Sequence, residues 1–109
     1  MEKQNEQAAG ELKERIIEVL QTVYDPEIPV NIYEIGLVYE IAIDPGANTI
    51  IRMTLTSPAC PVAGSLPAEV EYKVRAVSGV NSVAVELVWD PPWNPGMMSE
   101  AAKLQLGFF

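Results

Sequence analysis

LVYEIAIDPGANTIIRMTLTSPACP, Leu37 to Pro61, is the stretch that decides the fold of this chain. Residues 37–43 alternate Leu37, Tyr39, Ile41 and Ile43 against Val38, Glu40 and Ala42. Residues 50–56 alternate Ile51, Met53 and Leu55 against Ile50, Arg52, Thr54 and Thr56. A period of two residues is the signature of a strand with one face on a core. Between the two runs, Pro45, Gly46 and Asn48 supply turn chemistry, so the pair reads as an antiparallel hairpin. The stretch then ends on Cys60, held between Pro58 and Pro61. A space-filling cysteine belongs inside a strand or helix, and this one sits on a stiffened turn.

Upstream, Leu12, Ile16, Val19, Leu20 and Val23 recur at offsets of 4, 7, 8 and 11, which predicts an amphipathic helix from Glu11 to near Val23. Asp25-Pro26 stops it, because proline has no N–H to donate and biases its predecessor out of the α region. Residues 1–10 show no periodicity and read as a frayed, flexible tail. DPEIPVNIYEIG, residues 25–36, reads as an ordered loop.

Downstream, Leu66, Val70, Val74 and Val77 mark a second helix closed by Ser78-Gly79. Pro67 either follows a start near Ser65, leaving 61–64 as a separate turn, or kinks the helix. The kink is the reading favoured. NSVAVELVW, 81–89, predicts a third strand with Val83, Val85, Leu87 and Trp89 on one side. A segment rich in proline and tryptophan follows, and Ser99 caps a last short helix, Glu100 to Leu106, ended by Gly107. The order α-β-β-α-β plus a short C-terminal helix gives an α+β two-layer sandwich, with the three-stranded sheet covered by helices. Residues 11–109 form one domain.

The chain has 109 residues, of which 49% are hydrophobic, enough for one core. Its apolar runs fall far short of the roughly 20 residues of a membrane span, and the polar start lacks the apolar segment of a signal peptide. Fifteen acidic against seven basic residues give a net charge of −8, which disfavours binding to nucleic-acid phosphates and to anionic lipid. The reading is a soluble cytoplasmic protein. One cysteine forms no internal disulfide.

Two segments exceed what the fold requires. Asp25 and Glu27 bracket Pro26 just past the first helix, and on residue chemistry alone solvated loop charges are the favoured reading. Cys60 precedes Pro61, whose fixed φ suits the first turn of a helix. The cysteine would then sit at the positive end of the helix dipole, with Thr56 and Ser57 hydroxyls near, a setting that favours the thiolate. A buried cysteine acting as a small hydrophobe stays open beside it. With no histidine there is no Ser-His-Asp or Cys-His nucleophile pair, and no four-ligand zinc site of the usual kind. One chain also lacks the thiolates of an ordinary iron–sulfur cluster. Phosphate-binding glycine loops are absent, so no nucleotide is expected.

YDPEIPVNIYEIGLVYEI, MTLTSPACPVAGSL and DPPWNPGMMSEAAKLQLG closely resemble the SufT group of the metal–sulfur cluster biosynthesis family, and the resemblance runs from about Leu12 to Gly107. It implies an α/β fold in which the acidic loop and the cysteine turn lie together. The positions it carries over are Asp25, Glu27, Thr56, Ser57 and Cys60. It implies a non-enzymatic accessory factor in iron–sulfur protein maturation, with iron or a cluster held transiently at Cys60. The expected partners are the assembly machinery and client apoproteins. The chain departs from the commoner T-T-P-G-C-P form at Ser57 and Ala59, and Val62-Ala63-Gly64 lack the polar or ligating residues of some relatives. Any metal at Cys60 is therefore shared with a second subunit, a client or small ligands. Two other classes remain: an adaptor with a dispensable cysteine, and, less favoured, a thiol-dependent enzyme. Trp93 is a candidate interface residue, with packing at the sheet edge as its alternative. An apolar sheet edge and one thiol per chain are compatible with a homodimer.

Overall fold

The computed structural model describes residues 2–25, 28–56 and 65–107. The first helix, α1, spans Glu2–Leu20. Leu12, Ile16 and Leu20 are buried along its predicted face, as is Val23 just beyond it. The helix starts nine residues earlier than the periodicity indicated, at Glu2 rather than Glu11. Residues 2–10 carry no apolar period, but Glu, Lys, Gln and Ala continue a helix by propensity.

The hairpin forms as expected. Strand β1 (Val38–Ile43) pairs antiparallel with β2 (Asn48–Met53), with Ile41 opposite Ile51 and Ile43 opposite Thr49. The Asp44 carboxylate organises the turn, accepting from the Gly46 and Asn48 backbone N–H groups at 2.9 Å each and from Asn48 Nδ2 at 3.1 Å. These bonds, the Asn48 backbone first, hold its pKa below the ordinary carboxylate value. One detail departs from simple alternation. The register shifts between Val38 and Glu40, so Val38 lies opposite Met53 and packs on the core while Tyr39 is the extra residue. A bulge changes the phase of a strand in a way no local pattern records.

Helix α3 (Ser65–Arg75) buries Leu66, Val70 and Val74. Pro67 is its third residue, in the first turn, where a backbone N–H has no intrahelical acceptor to lose; the favoured kink is not needed. The helix supplies the crossover that parallel pairing requires, and β3 (Ser82–Leu87) runs parallel to β2 in the order β1-β2-β3. The strand stops before Trp89, which is exposed. Helices α1 and α3 cover one face, carrying Ile51, Met53 and the half-buried Ile41, Ile43, Val83, Val85 and Leu87. On the other face Arg52 pairs with Glu40 and Glu86. The last helix, α4 (Glu100–Leu106), has the predicted cap, with Ser99 Oγ accepting from the Ala102 N–H and Gly107 left-handed.

Two features went unread. A one-turn helix, α2 (Ile32–Ile35), sits inside the segment read as a loop, with Asn31 Oδ1 accepting from the Glu34 N–H and left-handed Gly36 closing it. Thr49, on the core face of β2, is 1% exposed, and its Oγ1 has no hydrogen-bond partner among the described residues. An unsatisfied buried hydroxyl carries its full desolvation penalty, so Thr49→Val should stabilise the fold by about 1–2 kcal/mol in urea unfolding. An unchanged or lowered midpoint would mean that the hydroxyl is satisfied in solution.

Candidate functional site

One end of the sheet gathers the unusual segments. Met53 lies opposite Val38 on one side and Leu87 on the other. Beyond it the Thr54 N–H donates to the Leu37 carbonyl at 2.8 Å, and the Val88 N–H donates to the Met53 carbonyl at 2.9 Å. The acidic loop enters β1 here, the chain beyond β2 is described here as far as Thr56, and the proline-rich tail leaves β3 here. This is the carboxyl end of the two parallel strands, the side on which α/β sheets commonly place ligands.

The acidic loop is pinned at its base. The Ile32 N–H donates to the Val23 carbonyl at 2.8 Å, and Tyr24 and Asn31 form an antiparallel bridge. Inside that closure the Asp25 carbonyl accepts from the Ile28 N–H at 3.3 Å. Asp25 is only 3% exposed, and it is the one charged side chain the fold buries among the described residues. The favoured reading of the loop acids as solvated charges is therefore corrected for Asp25, since a carboxylate is not taken out of water without compensation. Thr56 is half-buried, directly after Leu55 in the core. Glu27, Ser57 and Cys60 lie outside the described residues. Asp25 and Thr56 thus have places in the fold, whereas the juxtaposition of all five candidates remains an inference from the resemblance.

The tail clamps the loop. Trp93 is half-buried against the core, and its Nε1 donates to the Ile35 carbonyl at 2.9 Å. These contacts describe the packing role weighed beside a docking one. The Ser99 N–H donates to the Glu34 carbonyl at 2.8 Å, and Gln105 Nε2 donates to the Pro29 carbonyl at 3.1 Å. Tyr39, freed from the strand phase by the bulge, donates its hydroxyl to the Pro91 carbonyl at 2.8 Å. Burial raises the Tyr39 pKa, with the Thr54 hydroxyl acting the other way. Gly36 lies so close beneath the tail that a Cβ there would stand 2.4 Å from the Met97 carbonyl oxygen. Tyr39, Gly36 and Gln105 were not singled out from sequence. The one available signal was Asn31-x-x-Glu34 followed by Gly36, the spacing of a capped helical turn.

Residues 13–87 match the profile of the family described as iron–sulfur cluster assembly protein. The chain belongs to this family. A relative from Porphyromonas gingivalis, named Fe-S protein maturation auxiliary factor, is 47% identical over 96 residues, covering 88% of this chain and 91% of that protein. The Fe-S protein maturation auxiliary factor SufT of Staphylococcus aureus is 36% identical over 85 residues, covering 78% and 97%. Among solved structures, a domain of unknown function from Bacillus anthracis superposes with a TM-score of 0.85 at 38% identity, covering 92% of this chain and 95% of that one.

Of the five candidates, the described ones contribute the buried Asp25 carboxylate and the half-buried Thr56 hydroxyl at this end. A hard carboxylate and a soft thiolate both ligate iron, and few ligands from one chain leave coordination positions open for a second donor.

Proposed function

We propose that this protein is a non-enzymatic accessory factor in the maturation of iron–sulfur proteins, acting in the cytoplasm. Its cargo is iron or an iron–sulfur cluster, held by the Cys60 thiolate beside Asp25 and Glu27 and passed on to client apoproteins. Thr56 and Ser57 hydroxyls donate to the same position. The observation that carries this reading is the burial of Asp25 in a pinned loop at the end of the sheet from which the Cys60 segment departs. Support also comes from the names of the relatives, which are maturation factors rather than enzymes. Incomplete coordination by one chain suits a carrier, because release needs an incoming ligand to find an open position.

Anaerobic reconstitution with iron and sulfide tests it on the wild type and on Cys60→Ser, read by visible absorption and native mass. Iron or a cluster retained by the wild type and lost in Cys60→Ser is the expected outcome. Iron bound by neither protein would turn the reading to an adaptor whose cysteine is dispensable. Equal binding by both would remove Cys60 from the site.

A further inference from the structure

The sheet has two edges, and they are built differently. Strand β1 is bulged between Val38 and Glu40, and the tail is tied to it through Tyr39 and Pro91. Bulges and covering segments are the means by which natural sheets keep an edge from pairing. Among the described residues, strand β3 shows neither. It pairs with β2 residue for residue from Ser82 to Leu87 without a shift, and it contains no proline and no lysine. In a strand paired on one side, main-chain groups on the other side face outward. Among the described residues no main-chain hydrogen bond reaches 82–87 from any element other than β2.

We propose that the outer edge of β3 pairs antiparallel with β3 of a second copy of this chain, joining two three-stranded sheets into one. A two-fold contact needs a strand complementary only to itself. The sequence Val83-Ala84-Val85 reads the same in both directions, so a two-fold near its centre sets apolar residues against apolar residues on the core face. Val83, Val85 and Leu87 remain only half-buried in the single chain. On the other face Ser82, Ala84 and Glu86 are exposed, and Ala84 is small enough to allow close approach. Glu86 is the one ionisable side chain of the strand; a two-fold at Ala84 sets it opposite Ser82 of the second copy, so the two carboxylates do not meet, and Arg52 Nε lies 3.7 Å from it.

The pairing has a consequence for the site. Antiparallel strands point their carboxyl ends in opposite directions, so the two acidic loops sit at opposite ends of the joined sheet; each enters β1, the strand farthest from the seam, so their separation exceeds the roughly 20 Å length of a six-residue strand. The edge dimer therefore presents two separate sites, and it is distinct from any dimer bridged through Cys60.

Sedimentation equilibrium on the full chain carrying Cys60→Ser, with chelator present, reads this pairing without contribution from iron. The expected result is a mass rising with concentration from 11.9 kDa toward twice that value, with association strengthened by salt because each copy carries −8. Ala84→Glu adds a charge at the exposed edge and should weaken association at least tenfold. Ala101→Glu, at an exposed position of α4, adds the same charge and should leave it unchanged. Hydrogen exchange should show protection of 82–87 that increases with protein concentration. A monomer up to roughly 1 mM, the weak limit of specific association, would overturn the proposal. So would association that survives Ala84→Glu, or concentration-dependent protection confined to other segments.

Discussion

Gly36→Ala should destabilise this protein by about 3 kcal/mol or more, the largest effect expected among the described glycines. Two causes act together. Gly36 has φ 91°, where an L-residue with a Cβ is strained by about 1–2 kcal/mol. The new Cβ would also meet main-chain atoms, with the Met97 carbonyl oxygen at 2.4 Å and its carbon at 2.9 Å. Main chain cannot swing aside as a side chain can, so the tail must move. Gly107→Ala supplies the comparison, because Gly107 is also left-handed, at φ 79°, and nothing lies within 4 Å of its Cβ position. It should cost only about 1 kcal/mol, the conformational share alone. Urea unfolding of the two variants separates strain from clash. Displacement of Met97 should also release the Trp93 bond to Ile35, visible as a change in tryptophan fluorescence before global unfolding. Equal costs for the two variants would show that the tail does not press on the loop.

The same corner shows what a sequence can and cannot disclose. Helix α4 was legible at both ends, because Ser99 and Gly107 act through bonds within a few residues of themselves. The hairpin was legible for a similar reason, since Asp44, Gly46 and Asn48 shape the turn locally. Helix α2 escaped because four residues are too short to show a period, although Asn31 and Gly36 marked its ends. Tyr39 was assigned to the wrong phase because a bulge is set by the partner strand. The clamp was beyond reach for a plainer reason: Gln105 and Pro29 are 76 residues apart, and Trp93 and Ile35 are 58 apart. Asp25 lies between these cases. Its position beside Pro26 was conspicuous, but burial is decided by how the loop closes on the rest of the fold, and no carboxylate announces its own solvation. Family motifs carried the function further than residue chemistry did, because chemistry alone left Cys60 divided between packing and reactivity.

Asp25→Asn should lower iron affinity by about 10–100-fold, the range typical of losing a group that ligates or orients a ligand, while the protein stays folded. The expectation rests on the reading of the acidic loop as part of the iron site. Asparagine has nearly the shape of aspartate, so the pinned loop, with its Ile32 to Val23 bond and its Tyr24–Asn31 bridge, keeps its closure. What changes is the charge. A carboxylate that is 3% exposed burdens the folded state, and removing such a charge is often tolerated unless its partners are then left unsatisfied. A site selected for binding accepts that burden, whereas a residue selected for stability alone does not. The two readouts therefore separate. Measured on one preparation, iron uptake should collapse while the urea midpoint moves by less than about 2 kcal/mol in equivalent stability, the span of an ordinary substitution. The opposite pattern, iron bound at wild-type affinity by a protein that unfolds early, would make Asp25 a structural residue of the loop. Cys60 would then hold iron without it, and the second ligand would have to come from Glu27 or from another molecule.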